Sequence, residues 1–287
     1  MYDLLTNSKK DVTKKNNPLA LWQQKYDVDF VARNFELPKN RNDIPEILGW
    51  AGPARSGTTA LLFLLAGHSE VGHVYFQPQK TLMRLGYPRL KLYSSDKIAC
   101  MKETFVSWQV VNEMHDPVDV LLKAGVPAEK ITWIFMLRDP QQTYRSWCML
   151  APGIKPDPAA YALWQSHTVN LWHKYKDSKV RVIPFVYELM SGQEEKTIQH
   201  LLATIGLNDT SLSLEFNQTL IAEKFVPGQA ANKAYFENSV KKSLSKGKYA
   251  YGINSYPVDA AALMEVVASC QKEYEDFTKE AKVALNL

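Results

Sequence analysis

The chain of 287 residues is long enough to enclose one large hydrophobic core, and with 46% hydrophobic and 22% charged residues it has the composition of an ordinary globular enzyme. Its net charge of +4 is too small to indicate nucleic-acid binding, although it suits a small polyanionic ligand. The three cysteines are widely spaced and form no C-x-x-C pair, so we expect neither a disulfide framework nor a zinc site.

The amino-terminal residues 1–17 are polar and rich in lysine, which predicts a flexible tail rather than a secretory signal. Residues 18–37 have apolar spacing typical of one or two short helices. The apolar run from Glu46 closes on Gly52, and the next segment predicts a buried helix that ends at Gly67. Strand, tight loop and helix therefore follow one another directly.

This alternation continues along the chain. The further predicted strands are VGHVYF (71–76), KIACMKE (97–103), ITWIFMLR (131–138) and VRVIPF (180–185). The further predicted helices cover residues 79–86, 116–125, 140–150, 159–176, 194–206 and 258–284. Strands that alternate with helices predict an α/β fold with a mostly parallel central sheet and helices on both faces. We expect residues 18–287 to form a single domain, with a mobile Gly- and Lys-rich segment over 226–251.

The stretch AGPARSGTTALLFLL, from residue 51, resembles a phosphate-binding loop without the usual terminal lysine. Gly52 and Gly57 have the required spacing, and the backbone N–H groups between them can surround an anion at the start of a helix. Thr58 and Thr59 stand where Lys and Ser or Thr would follow in a nucleotide-hydrolysing loop. The cation of this loop is Arg55, which favours an anion other than the γ-phosphate of ATP.

A second motif lies at the end of the most apolar predicted strand. IFMLRDPQQTYRSW places Arg138 at the strand end and Ser146 two turns along the following helix. Ligands of open parallel sheets bind in the crevice beyond the strand ends, so both side chains can reach one anion there. The competing interpretation is a structural ion pair between Arg138 and Asp139.

Together these motifs resemble the PAPS-dependent sulfotransferases, where PAPS is 3′-phosphoadenosine 5′-phosphosulfate. PARSGTT resembles their P-[KR]-[ST]-G-T-T loop, with Ala54 where a proline often stands, and VYELM followed by a helix ending in GL resembles a third family motif. The resemblance assigns the 5′-phosphosulfate to Gly52, Arg55, Ser56, Gly57, Thr58 and Thr59. It also assigns the 3′-phosphate to Arg138 and Ser146, the adenine ring to Tyr187, and a closing basic segment to Lys246, Gly247 and Lys248.

The resemblance leaves the catalytic base open. Lys102 matches a family lysine, but Thr104 occupies the place of the histidine that serves as base in cytosolic members. Glu103 is our first candidate for the base and His73, on the strand after the loop helix, is the second. The alternative for Glu103 is a surface carboxylate paired with Lys102.

The sequence therefore predicts an enzyme that transfers a sulfuryl group from PAPS to a hydroxyl or amine of a small molecule without a metal, leaving adenosine 3′,5′-bisphosphate (PAP). The alternatives are a P-loop small-molecule kinase and a non-catalytic protein that binds PAPS or PAP. We expect a cytoplasmic monomer or homodimer that contacts neither nucleic acid nor membrane.

Overall fold

The computed structural model describes residues 28–85, 89–105, 114–150, 157–207, 214–215, 218–226 and 255–287. The predicted tail at residues 1–17 and the predicted cofactor residues Lys246, Gly247 and Lys248 lie outside these ranges. The domain boundaries drawn from the sequence remain predictions.

Five parallel strands form the central sheet, in the order β3-β5-β2-β6-β7. A small parallel pair, β1 with β4, stands apart from it. The strands are β1 Phe35–Glu36, β2 Glu46–Ala51, β3 Val71–Phe76, β4 Leu90–Lys91, β5 Ile98–Lys102, β6 Ile131–Leu137 and β7 Arg181–Val186. The sequence did not predict the small pair, because strands of two residues are too short to show a periodic pattern.

Helices flank this sheet within the described ranges. They are α1 Val28–Arg33, α2 Thr58–Ala66, α3 Pro78–Leu85, α4 Pro117–Ala124, α5 Pro140–Leu150, α6 Pro158–Tyr175, α7 Glu194–Ile205, α8 Gln218–Lys224 and α9 Ala260–Leu285. Helix α2 packs beside β3 and β5, whereas α6 packs beside β6 and β7 and α9 packs beside β7. This arrangement confirms the predicted α/β fold with its strand–loop–helix unit.

Strand β6, which lies between β2 and β7, is covered on both faces. Five consecutive residues, from Trp133 to Leu137, are at most 1% exposed, although successive side chains of a strand point to opposite faces. The sheet is thus enclosed by helices, and loops follow its strands at the carboxyl edge.

The ends of helix α4 agree with the signals in the sequence. The Asp116 carboxylate accepts from two N–H groups at the start of α4, and Gly125 ends that helix in the left-handed conformation.

Candidate functional site

Four sequence motifs meet at the carboxyl edge of the sheet. The loop 52–57 follows β2, the central strand, and Lys102 ends its neighbour β5. On the other side of β2, Arg138 directly follows β6 and Tyr187 directly follows β7. Because the carboxyl ends of parallel strands lie at one edge, the strand order places all four in one crevice.

The loop is held tightly against its neighbours. A Cβ atom at Gly52 would lie 2.2 Å from the carbonyl oxygen of Met136 in β6, so only glycine fits there. The backbone of Phe105 clamps the other side, since its N–H donates to the Gly52 carbonyl at 2.9 Å and its carbonyl accepts from Ala54 N–H at 3.1 Å. Arg55 adopts a φ of 72°, a conformation that costs free energy for a residue with a side chain and that clusters at binding sites.

The loop leads into the amino end of α2, where no side chain caps the helix. The first N–H groups of a helix have no acceptor within it, and they carry the positive end of the helix dipole. Ser56 Oγ is buried beside them and has no hydrogen-bond partner among the described residues. Trp50 fixes this end of the helix by donating from Nε1 to the Thr58 carbonyl at 2.9 Å, while Thr59 is half-buried. A small anion is the ligand that these unsatisfied donors fit.

Two arginines lie at this loop. The exposed Arg55 donates from Nε to Ser146 Oγ at 2.9 Å, and Ser146 lies on α5. Arg138 donates to the Arg55 carbonyl at 3.4 Å, and its guanidinium carbon lies 4.7 Å from the centre of the Tyr187 ring. The same ring would lie 2.3 Å from a Cβ atom at Gly57. The structure therefore brings the loop, the Arg138–Ser146 pair and Tyr187 into direct contact.

Lys102 and Glu103 also lie at this edge, but both are enclosed. Lys102 is 2% exposed, its Nζ lies 4.3 Å from the centre of the Phe76 ring, and burial lowers its pKa to about 7 against the opposing effect of Glu103. Glu103 is fully buried, and burial raises its pKa to about 7. The interpretation of Glu103 as a surface carboxylate is therefore wrong, because the chain after β5 continues beneath α3 instead of reaching the surface.

The Glu103 carboxylate is directed at the start of α3. Its Oε1 accepts from Gln79 N–H at 2.8 Å, and its Oε2 has no hydrogen-bond partner among the described residues. Lys80, which the sequence did not single out, is buried in the same place, with Nζ 3.5 Å from the Thr104 carbonyl. Two buried lysines thus accompany one buried carboxylate at this edge of the sheet.

Replacement of Glu103 by glutamine should change how stability depends on pH. Because the native protein holds this proton more tightly than the unfolded chain between pH 4.5 and about 7, the free energy of unfolding contributed by Glu103 falls as the pH rises through this window. Relative to Glu103→Gln, the wild type should lose at most about 3 kcal/mol across it. Urea unfolding at several pH values measures the difference, and parallel profiles for the two proteins would contradict it.

His73 lies away from these residues. It precedes Phe76, the end of β3, by three residues, which is about 10 Å along a strand. Its Nδ1 bonds Asp96 at 2.8 Å and its ring stacks on Tyr93 at 4.1 Å. Asp96 precedes β5, so this contact is directed toward the amino edge of the sheet. Of the two candidate bases, only Glu103 shares an edge with the loop.

Sequence reasoning did not assign a role to Glu188 or Tyr274, yet both contact the site. Glu188 Oε1 lies 3.8 Å from Arg138 Nε, and Glu188 Oε2 accepts from Tyr274 Oη at 2.9 Å. Glu188 belongs to the VYELM motif and could have been noticed there. Tyr274 lies 86 residues further along, on α9, and no local pattern marks it.

The described ranges contain no cluster of three or more His, Cys, Asp or Glu side chains able to hold a metal ion. In the same ranges no helix is both long enough and apolar enough to span a bilayer.

Comparison with known proteins finds similarity among solved structures. No model of a known protein family matches the chain, and no curated protein matches it. Among solved structures, it is similar to mouse sulfotransferase SULT7A1 complexed with PAP. The two share 16% sequence identity over 90% of each chain, with a TM-score of 0.38. A likeness this loose does not assign the chain to a family.

Proposed function

We propose that this protein is a sulfotransferase that moves a sulfuryl group from PAPS to a hydroxyl or amine of a small molecule. The observation that carries the proposal is the contact of Arg55 with Ser146 at 2.9 Å, together with the contact of Arg138 with the Arg55 carbonyl. The resemblance assigns these two motifs to opposite ends of one cofactor. Arg55 and Ser146 lie 91 residues apart in the sequence, yet their contact places both motifs in a single crevice.

The chain's own residues fit this cofactor. The uncapped start of α2 and the buried Ser56 hydroxyl are donors suited to the 5′-phosphate. Arg138 and Ser146 are donors for the 3′-phosphate, and Tyr187, whose ring lies against Arg138, is the aromatic residue that the resemblance assigns to the adenine. PAPS supplies the sulfuryl group, and PAP is the other product.

Cations beside the loop would stabilise the charge that develops on the leaving phosphate. Arg55 carries a fixed charge and is exposed, so it can reach that oxygen. Lys102, with its pKa lowered to about 7, can offer a proton or a charge from a site closed to water. In this proposal the proton of the acceptor passes to Glu103, the candidate base that shares this edge, and no metal takes part.

One observation favours the alternative of a non-catalytic protein that binds PAPS or PAP. Glu103 is fully buried and bonded to the start of α3, while His73 is bonded to Asp96. A protein with a complete cofactor crevice and no accessible base would bind PAP without transferring sulfate.

Thermal unfolding with nucleotides tests the proposed function. PAP at about 100 times its dissociation constant should add about 3 kcal/mol to the free energy of unfolding and raise the melting temperature by several degrees. ATP at the same concentration should give a smaller shift, because no lysine follows the loop to hold its terminal phosphates. Transfer of labelled sulfate from PAPS to a panel of alcohols and amines then measures catalysis.

Each outcome separates one candidate. Stabilisation by ATP but not by PAP would contradict the proposal and favour a kinase. Stabilisation by PAP with no sulfate transferred would favour the non-catalytic protein. The panel of alcohols and amines tests the class of the acceptor. The oligomeric state stays a prediction.

A further inference from the structure

A carboxylate and a tyrosine from distant parts of the chain lie behind Arg138. Glu188 Oε2 accepts from two donors, the backbone N–H of Asp139 at 3.0 Å and Tyr274 Oη at 2.9 Å. Two donors on one oxygen fix the plane of the carboxylate, so that Oε1 is the atom nearest Arg138, 3.8 Å from its Nε. One oxygen of the Glu188 carboxylate therefore accepts the two hydrogen bonds, and the other faces Arg138.

The guanidinium of Arg138 is consequently held from three directions. Glu188 lies along its Nε side, the Tyr187 ring lies against its face, and the Arg55 carbonyl accepts from one terminal nitrogen. The Arg138 side chain is only 9% exposed. A long side chain fixed in this way loses little further freedom when it binds a ligand, which increases affinity for a group at the matching position.

Tyr274 is well suited to support this arrangement. It is 8% exposed on α9, the last helix of the chain, and burial raises the pKa of its phenol well above the ordinary value, so the hydroxyl remains a donor at any physiological pH. Helix α9 packs against α5, which carries Ser146, and against β7, which leads to Glu188. The tyrosine thus ties the carboxyl-terminal helix to the arginine.

We propose that Glu188 and Tyr274 are positioning residues that set the preference of the site for a nucleotide with a 3′-phosphate. The inference rests on the proposed function, in which Arg138 binds that phosphate. Without the Tyr274 hydroxyl the carboxylate can rotate, and Arg138 loses its fixed direction toward the 3′-phosphate. The loop at the start of α2, which binds the 5′-phosphate in this proposal, keeps its bonds to the Phe105 backbone and to Trp50.

Calorimetric titration of the full-length chain with PAP and with adenosine 5′-monophosphate (AMP) tests this inference. Tyr274→Phe should lower the affinity for PAP by roughly three- to tenfold, which is the size of one ordinary hydrogen bond, because the Tyr274 hydroxyl acts on Arg138 only through Glu188. Its affinity for AMP should stay at the wild-type value, because AMP has no 3′-phosphate. If Tyr274 had only a structural role, Tyr274→Phe would weaken the binding of PAP and AMP equally or would weaken neither. Either result would overturn the proposal.

Tyr175→Phe is the matched control. Tyr175 is another buried tyrosine whose hydroxyl donates to a carboxylate, Asp116 Oδ2 at 2.7 Å, and that carboxylate also keeps a second donor, Lys174. It lies at the end of α6, among contacts that do not involve Arg138. The ratio of PAP to AMP affinity should be unchanged in this variant.

Glu188→Gln gives an independent test, because a positioning role and a purely electrostatic role predict opposite changes in PAP affinity. The amide oxygen can take the place of Oε2 and keep both donors, which directs the amide NH₂ toward Arg138 Nε and sets donor against donor. A positioning role therefore predicts weaker PAP binding with AMP binding unchanged. If the carboxylate acted only through its negative charge, its removal would strengthen PAP binding, and the proposal would be wrong. Failure of the wild type to bind PAP would overturn the proposed function itself.

Discussion

Replacing Arg55 with alanine is expected to lower the rate of sulfuryl transfer by roughly 10²- to 10³-fold, the usual cost of removing one group that stabilises charge in the transition state. Arg55 is the cation inside the loop, it is exposed, and its Nε donates to the hydroxyl of Ser146. Binding of PAP should fall much less, because the N–H groups at the start of α2 and the Arg138 side chain remain in place.

Arg55→Lys is the control for this variant. All three side chains, arginine, lysine and alanine, meet the same backbone cost at a φ of 72°, so a difference in rate reports the cation and not the conformation of the loop. Lysine keeps the charge and should keep most of the rate. Initial rates with PAPS and calorimetry with PAP give the two measurements. An unchanged rate for Arg55→Ala would show that sulfuryl transfer does not depend on this cation. An equal loss of rate and of PAP affinity would show that Arg55 contributes to binding only.

The second large effect is expected from Gly57→Ala. Gly57 has a φ of 91°, and an added Cβ would lie 2.3 Å from Cδ2 of Tyr187. Left-handed backbone costs about 1–2 kcal/mol for a residue with a side chain, and displacing a packed ring costs about 1–3 kcal/mol more. Because Arg138 lies against that ring, its guanidinium should move as well, and PAP affinity should fall by at least about tenfold.

Gly192→Ala isolates the contribution of the ring. Gly192 also has a left-handed φ, 70°, but an added Cβ there would meet nothing within 4 Å. This variant should lose only the backbone part of the free energy of unfolding and bind PAP like the wild type. Urea denaturation and PAP titration of both variants measure the difference. If the two substitutions lowered the free energy of unfolding equally, displacement of the Tyr187 ring would cost no free energy, and the prediction for Gly57→Ala would be wrong.

Much of the fold could be predicted from the sequence because its signals are local. The run from Trp133 to Leu137 is continuously apolar and became the strand buried on both faces. Asp116 and Gly125 bound a helix through contacts with their own neighbours, so no distant residue was needed to locate its ends. The glycine spacing of the loop is equally local, and Gly52 and Gly57 both occupy positions that a Cβ atom would disturb.

The direction of a side chain at a strand end was not accessible in the same way. Glu103 and His73 were chosen for their chemistry and their place on strands. The structure directs the first beneath the start of α3 and the second toward the amino edge of the sheet. These orientations depend on which helix covers the strand and on the residue that precedes the neighbouring strand.

The sequence by itself determined which residues end the strands and which loop can hold an anion, because glycine conformation, capping and apolar periodicity act within a few residues. The tertiary structure alone decided that these strand ends share one crevice. The order β3-β5-β2-β6-β7 puts the loop between Lys102 and Arg138, and α9 returns to place Tyr274 behind Glu188. Such neighbours follow from how crossovers and helices pack over the sheet, which is a property of the whole chain and not of any short segment.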